Sequence, residues 1–216
     1  MGMETVSAIL PSGAVLAAYG LAVVLLVLTP GPDMALFLGR TIAGGRAQGL
    51  AALAGTTVGL WVHTGLAALG LSAVIAASPT AFAVLKWAGA GYLVFLAIST
   101  LRHGSAFEPR EEAAGTPMRA FLAGVWINVL NPKIVLFFVT FLPQFVDPAD
   151  PHVVGRLAVL GGLYGVIFVP ISLGLVLAAE RVSGTFRRSA RLRRGLDYAT
   201  AGLFGAFAVR LALARP

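Results

Sequence analysis

Six stretches of the chain are apolar almost without interruption: approximately Gly13–Leu38, Leu50–Ala77, Thr80–Leu101, Arg119–Pro143, Val153–Ala179 and Tyr198–Ala214. Each is near or above the ~20 residues that carry a helix across a ~30 Å hydrocarbon core. Breaker-rich runs part them: GGRAQG (Gly44–Gly49), SPT (Ser78–Thr80), GSAFEPREEAAGTP (Gly104–Pro117) and DPADP (Asp147–Pro151). No ten-residue alternation points to a barrel, and open sheet edges are not tolerated in lipid. The pattern predicts an all-α integral membrane protein with six transmembrane helices. It is a single transmembrane domain over residues 1–216, with no soluble module.

Two of the six stretches are interrupted from within. The first contains PGPD (Pro30–Asp33), two prolines and a carboxylate inside an apolar run, and the fourth contains LNPK (Leu130–Lys133). Aligning Pro32 with Pro132 lays PGPDMALF over LNPKIVLF, matching Leu36 with Leu136 and Phe37 with Phe137 while Asp33 faces Lys133. The third and sixth stretches align as well, KWAGAG (Lys86–Gly91) over DYATAG (Asp197–Gly202), again with inverted charge. This predicts two three-helix repeats, residues 13–101 and 119–214, joined by a loop at 102–118. An odd number of helices per half gives the halves opposite orientations. Inverted repeats of this kind place transport sites where corresponding broken helices meet near the membrane midplane.

Composition supports a membrane reading, since 12% of residues are charged where a soluble domain carries about a quarter. Loop charge sets the orientation. The first, third and fifth connections hold Arg40, Arg46, Arg102, Arg110, Arg119, Arg181, Arg187, Arg188, Arg191, Arg193 and Arg194. The second connection has no charge, and the fourth sets Asp147 and Asp150 against Arg156. Basic loops stay in the cytoplasm, so both termini are expected outside. The net charge of +7 is read as this topology signal rather than as nucleic-acid binding. The run RRSARLRR (Arg187–Arg194) is a topology anchor or a site for anionic lipid. The opening MGMETVSAIL has Glu4 and no Lys or Arg, so a cleaved secretory signal is not expected.

Cysteine is absent, which excludes thiol ligands and thiol redox chemistry. Neither a Ser-His-Asp signature nor HExxH is present, and in-membrane ligands are too few for a metal site. No cofactor, metal or enzymatic activity is expected.

The candidate site is Pro30, Gly31, Pro32 and Asp33 in the first stretch with Asn131, Pro132 and Lys133 in the fourth. At 1.5 Å per residue Asp33 lies about 10 Å from the cytoplasmic face and Lys133 about 15 Å from the outer one. In a ~30 Å core the two charges then share a depth, able to pair or to share a cavity. Asp33 can accept an amine or carry a proton, and Lys133 can hold a carboxylate. Prolines free carbonyls to act as ligands, while Gly31 permits unusual dihedrals. Such a site suits a small zwitterion such as an α-amino acid. The alternative is that the charges cap half-helices or form a pair that only fixes packing.

Secondary candidates are His63, Lys86 and Asp197. His63 can relay protons or bond a neighbouring helix. Lys86 and Asp197 are expected at helix entries, snorkelling. GTTVG (Gly55–Gly59) and GGLYG (Gly161–Gly165) have the small-xxx-small spacing of close helix contact, within the fold or across a homodimer. Pro170 is expected to kink the fifth helix.

The stretches LTPGPDMALFLGRTIAGGRAQGLAALAGTTVG, LKWAGAGYLVFLAISTLR and FLAGVWINVLNPKIVLFFVTFLPQFV resemble the LysE/RhtB-type amino-acid exporters, over most of the chain. The resemblance implies a bacterial inner-membrane exporter of amino acids, driven by proton exchange, with its site at PGPD and NPK. A cation or metalloid exporter of the wider superfamily and a non-transporting membrane subunit are the alternatives.

Overall fold

The computed structural model describes residues 9–71, 73, 79–103, 115–147, 150–179, 181 and 189–213. Residues 1–8, Ser78 of SPT, most of the 102–118 loop, Arg187 and Arg188 lie outside the described residues. Every described element is helical: α1 Gly13–Leu28, α2 Pro32–Gly65, α3 Pro79–His103, α4 Pro117–Val129, α5 Pro132–Leu136, α6 Val153–Leu177 and α7 Ala190–Leu213. A π-helical turn, Leu66–Leu71, extends α2, and a second, Phe137–Phe141, extends α5 before a 3-10 turn at Leu142–Phe145.

Both expected breaks are present. Between α1 and α2 the chain leaves helical geometry at Thr29 and Gly31. Between α4 and α5 it does so at Leu130 and Asn131, and the two flanking helical stretches are bent by 45°. Pro32, Pro117 and Pro132 each open a helix, where a missing amide hydrogen costs nothing.

GGRAQG parts two helical stretches, as its composition predicts, through a single residue. Helix continues on both sides of one residue, Gly45, which has φ 79° and ψ 174°, a region essentially reserved for glycine. There α2 folds back on itself. A Cβ on Gly49 would lie 3.1 Å from the Phe37 carbonyl oxygen, whereas straight helix would separate them by about 18 Å. Gln48 Nε2 donates to the Gly115 carbonyl and ties the turn to the start of α4. Thus α2 is two legs, Pro32 to Gly44 and Arg46 onward.

By length and apolarity, Pro32–Gly70 and Val153–Leu177 are long enough to cross a membrane, and Pro117–Val129 with Pro132–Phe145 makes a third if counted as one. Gly13–Leu28 and Trp87–Arg102 are shorter apolar helices. The breaks shorten two of the six expected stretches, and Pro32–Gly70, folded back at Gly45, is two legs rather than one straight helix.

The sixth helix starts earlier than expected, at Ala190, so Arg191, Arg193 and Arg194 sit on α7 rather than in a loop. Asp197 is consequently well inside α7 and not at its entry. Lys86 likewise lies within α3, and its side chain is outside the described residues. Helix α6 continues through Pro170.

Packing is tightest where side chains are smallest. Added Cβ atoms on Gly55 and Gly124 would collide with the backbone of the facing helix, at Phe121 and Ala52 respectively. The second leg of α2 and α4 therefore touch backbone to backbone. Gly161 faces Thr64 of α2 as closely. Both glycine stripes are used within the fold. Aromatic rings fill the centre, with Phe137, Phe138 and Phe141 of the π turn packed against Tyr19, Tyr164 and Phe207.

Gly45→Ala should destabilise the protein by about 1–3 kcal/mol, whereas Gly91→Ala, with open space around it, should leave stability unchanged or raise it. Thermal unfolding of the purified chain in detergent tests this, and an unaltered Tm for Gly45→Ala would remove the strained turn.

Candidate functional site

The ends of the broken helices are where unpaired backbone groups accumulate. Pro30 has no amide hydrogen, so the Leu26 carbonyl four residues earlier has no helical donor. Lys133, from the second half of the chain, fills that vacancy: its Nζ donates to Leu26 O at 3.3 Å and to Thr29 O at 3.0 Å. A cation at a helix C-terminus also meets the negative end of the helix dipole. The carbonyls freed by the prolines are therefore ligands, and their occupant here is Lys133.

Gly31 makes this reach feasible. Its φ of −171° and ψ of −178° are ordinary extended backbone, so the expected need for unusual dihedrals is not the reason for glycine. Space is the reason, because a Cβ there would sit 3.0 Å from Lys133 Nζ.

Asp33 lies in the first turn of α2, 4% exposed. Its Oδ2 accepts from Asn128 Nδ2 at 2.8 Å. Asn128 belongs to the last turn of α4, so the carboxylate of one half is held by the broken helix of the other. Gly59 gives Asn128 its room, since a Cβ there would strike its side chain. On the far side of the break Asn131 caps α5, its Oδ1 accepting from Lys133 N at 3.0 Å. Asn131 stands close to Asp33, yet Asp33 Oδ1 and Asn131 Nδ2 make no hydrogen bond.

Asp33 and Lys133 share this region but form no ion pair within 4.0 Å. Each is instead engaged by groups of the opposite half. His63 joins from α2: its Nε2 is 3.2 Å from the Asn128 carbonyl. A carbonyl only accepts, so Nε2 carries the proton. The ring stacks on Phe138 with centroids 5.6 Å apart. His63, Asn128 and Asp33 thus form one buried polar chain. Asp197 and the described part of Lys86's helix contribute nothing to it.

A cavity of about 180 Å3 opens where the breaks meet, walled by Pro30, Gly31, Pro32, Asn131, Pro132 and Lys133, with Thr200 and Phe204 of α7 and Ser99 and Thr100 of α3. At ~30 Å3 per water it has room for about six waters, the bulk of a small amino acid.

Sequence reasoning missed Asn128, Thr29 and Thr200. Asn128 had a signal, a second amide one turn before Asn131 in NVLNPK. The Thr29 carbonyl had none, since any residue before Pro30 supplies one.

Residues 24–215 match the model of the LysE type translocators. The homoserine/homoserine lactone efflux protein of Salmonella typhimurium is 31% identical over 199 residues, covering 92% of this chain and 96% of that protein. An uncharacterized membrane protein of Pseudomonas aeruginosa is 32% identical over 204 residues, covering 91% and 94%. One from Bacillus subtilis is 35% identical over 133 residues, covering 57% and 63%. No solved structure matches. An apolar, all-helical chain that matches this model over most of its length is of the translocator class. The chain belongs to the LysE translocator family.

A double-mutant cycle checks the Asn128–Asp33 bond. Asn128→Ala should cost about 2 kcal/mol in the native background and much less beside Asp33→Leu, where no carboxylate is left unpaired. Additive losses in thermal stability would show that the two side chains are not coupled.

Proposed function

We propose that the chain is a secondary transporter exporting small amino acids across the bacterial inner membrane in exchange for protons. It works as six spans in two inverted three-helix repeats within one domain, with both termini outside. The observation that carries this is the cavity whose wall holds both helix breaks, with Lys133 in it and Asp33 beside it. A zwitterion fits that arrangement, its carboxylate toward the Lys133 ammonium and its amine toward the free Asp33 Oδ1. The efflux protein of S. typhimurium, related over nearly its whole length, supports the amino-acid reading.

The breaks and the fold-back at Gly45 support the span count. Helix α1 and the first leg of α2 form one broken span; the second leg forms the next. Helices α4 and α5 form the corresponding broken span of the second half.

The two charges have separate duties. Lys133 holds the carbonyl ends of α1 until a substrate carboxylate draws it away, and its release loosens the first broken span. Asp33 exchanges a proton while the Asn128 side chain holds it, and His63, bonded to the Asn128 main-chain carbonyl, stands on the other side of that residue. An acid that titrates inside the bundle is the usual basis of proton coupling.

Asp33→Asn should abolish efflux while membrane levels stay near normal, measured as amino-acid release from peptide-fed cells. Undiminished release would take Asp33 out of the mechanism. The swap of Asp33→Lys with Lys133→Asp should not rescue, because the two groups meet opposite halves and not each other. Recovery of even a tenth of native efflux would overturn that assignment.

A further inference from the structure

Thr200 stands apart from the other buried threonines. Thr29, Thr41, Thr56, Thr64 and Thr140 each donate their hydroxyl to a carbonyl three or four residues back in the chain. That bond is the default for threonine inside an apolar helix bundle, because it satisfies the hydroxyl without a partner helix. Thr200 is 3% exposed, yet its Oγ1 makes no hydrogen bond. It is also part of the cavity wall between the two breaks.

The internal repeat sharpens the contrast. In the register that lays Lys86–Gly91 over Asp197–Gly202, the counterpart of Thr200 is Gly89. A Cβ on Gly89 would collide with the Thr140 side chain of the π turn, so α3 packs there without a gap. At the equivalent place on α7 the chain has a hydroxyl-bearing side chain beside open space. A buried hydroxyl without a partner costs about 1–3 kcal/mol, and a ligand hydroxyl is the partner this position lacks. The hydroxyl oxygen itself is buried in this rotamer, and a χ1 rotation is the movement that would bring it to the cavity.

Charge in the wall narrows the ligand further. Among the described residues of the wall, Lys133 is there and no carboxylate is. Once the substrate carboxylate has answered Lys133 and its α-amine has taken Asp33, a second ammonium at the side-chain end finds no counter-charge.

We propose that Thr200 is a specificity-determining residue that hydrogen-bonds an uncharged side-chain hydroxyl of the substrate, in a cavity that discriminates against basic amino acids. This rests on the cavity being the transport site. Substrates of this class are small hydroxy amino acids, and lysine or arginine are excluded.

Exchange assays in proteoliposomes of the purified full chain test this without depending on the driving ion. The probes are labelled homoserine, norvaline (a methyl in place of the hydroxyl) and lysine. The native chain should exchange homoserine at least several-fold faster than norvaline, and lysine slowest. Thr200→Val should lower homoserine exchange about tenfold and leave norvaline within twofold, while Thr200→Ser keeps the native preference. Equal loss for both probes in Thr200→Val, with Tm lowered, would make Thr200 structural and overturn the proposal. No change for either probe, or native exchange of lysine as fast as homoserine, would overturn it too. Thr200→Ala provides a second variant if Thr200→Val does not fold. A native chain that is folded but exchanges none of the three sinks the transporter reading itself, a result distinct from a wrong role for Thr200.

Discussion

A carbonyl that has lost its helical donor must find another one inside an apolar bundle, and the structure turns on where Leu26 finds it. Pro30 removes the amide that would have served it. Water is no substitute in an apolar interior, where an unsatisfied group costs several kcal/mol. The donor is the Lys133 ammonium, more than a hundred residues later in the chain, and it also takes the Thr29 carbonyl. Asn128 holds Asp33 in return. Each half of the chain thus completes the broken helix of the other, and neither charge is left without polar contacts.

These long-range bonds require backbones and side chains to come closer than most residues allow. Lipid supplies no hydrophobic drive for helices to associate, so contact depends on small residues that permit close packing. Gly55 and Gly124 bring α2 and α4 backbone to backbone, Gly59 admits Asn128, and Gly31 admits Lys133. These glycines are spacing devices, and among the described residues only Gly45 serves its dihedral freedom. The same closeness leaves a limited cavity at the breaks, where the proposed substrate would replace contacts that the protein makes with itself.

Much of this was legible in the sequence. Apolar runs predicted helices because backbone groups in lipid have to be satisfied locally. PGPD and LNPK predicted the breaks because proline cannot donate. Their charges predicted a polar region because isolated charges are expensive in hydrocarbon. The alignment of the halves also marked Asp33 and Lys133 as counterparts and left open whether they pair or share a cavity; the fold keeps them from pairing directly. The extent of α7 was misread because arginine-rich helix and arginine-rich loop have the same composition. The break within GGRAQG was legible too, but its width was not, since six breaker-prone residues contain only one non-helical residue.

The sequence by itself determined the helical class, the two breaks and the kinds of group placed beside them. All of these follow from local rules: the missing proline amide, the length of an apolar run and the cost of an unsatisfied charge. Only the tertiary structure decided which group answers which. That Lys133 meets carbonyls rather than Asp33, that Asn128 is the partner of the carboxylate, and that Thr200 joins a cavity wall while Gly89 packs against Thr140, depend on how helices cross. Crossing is set by close packing between residues far apart in the chain, and no local pattern encodes it.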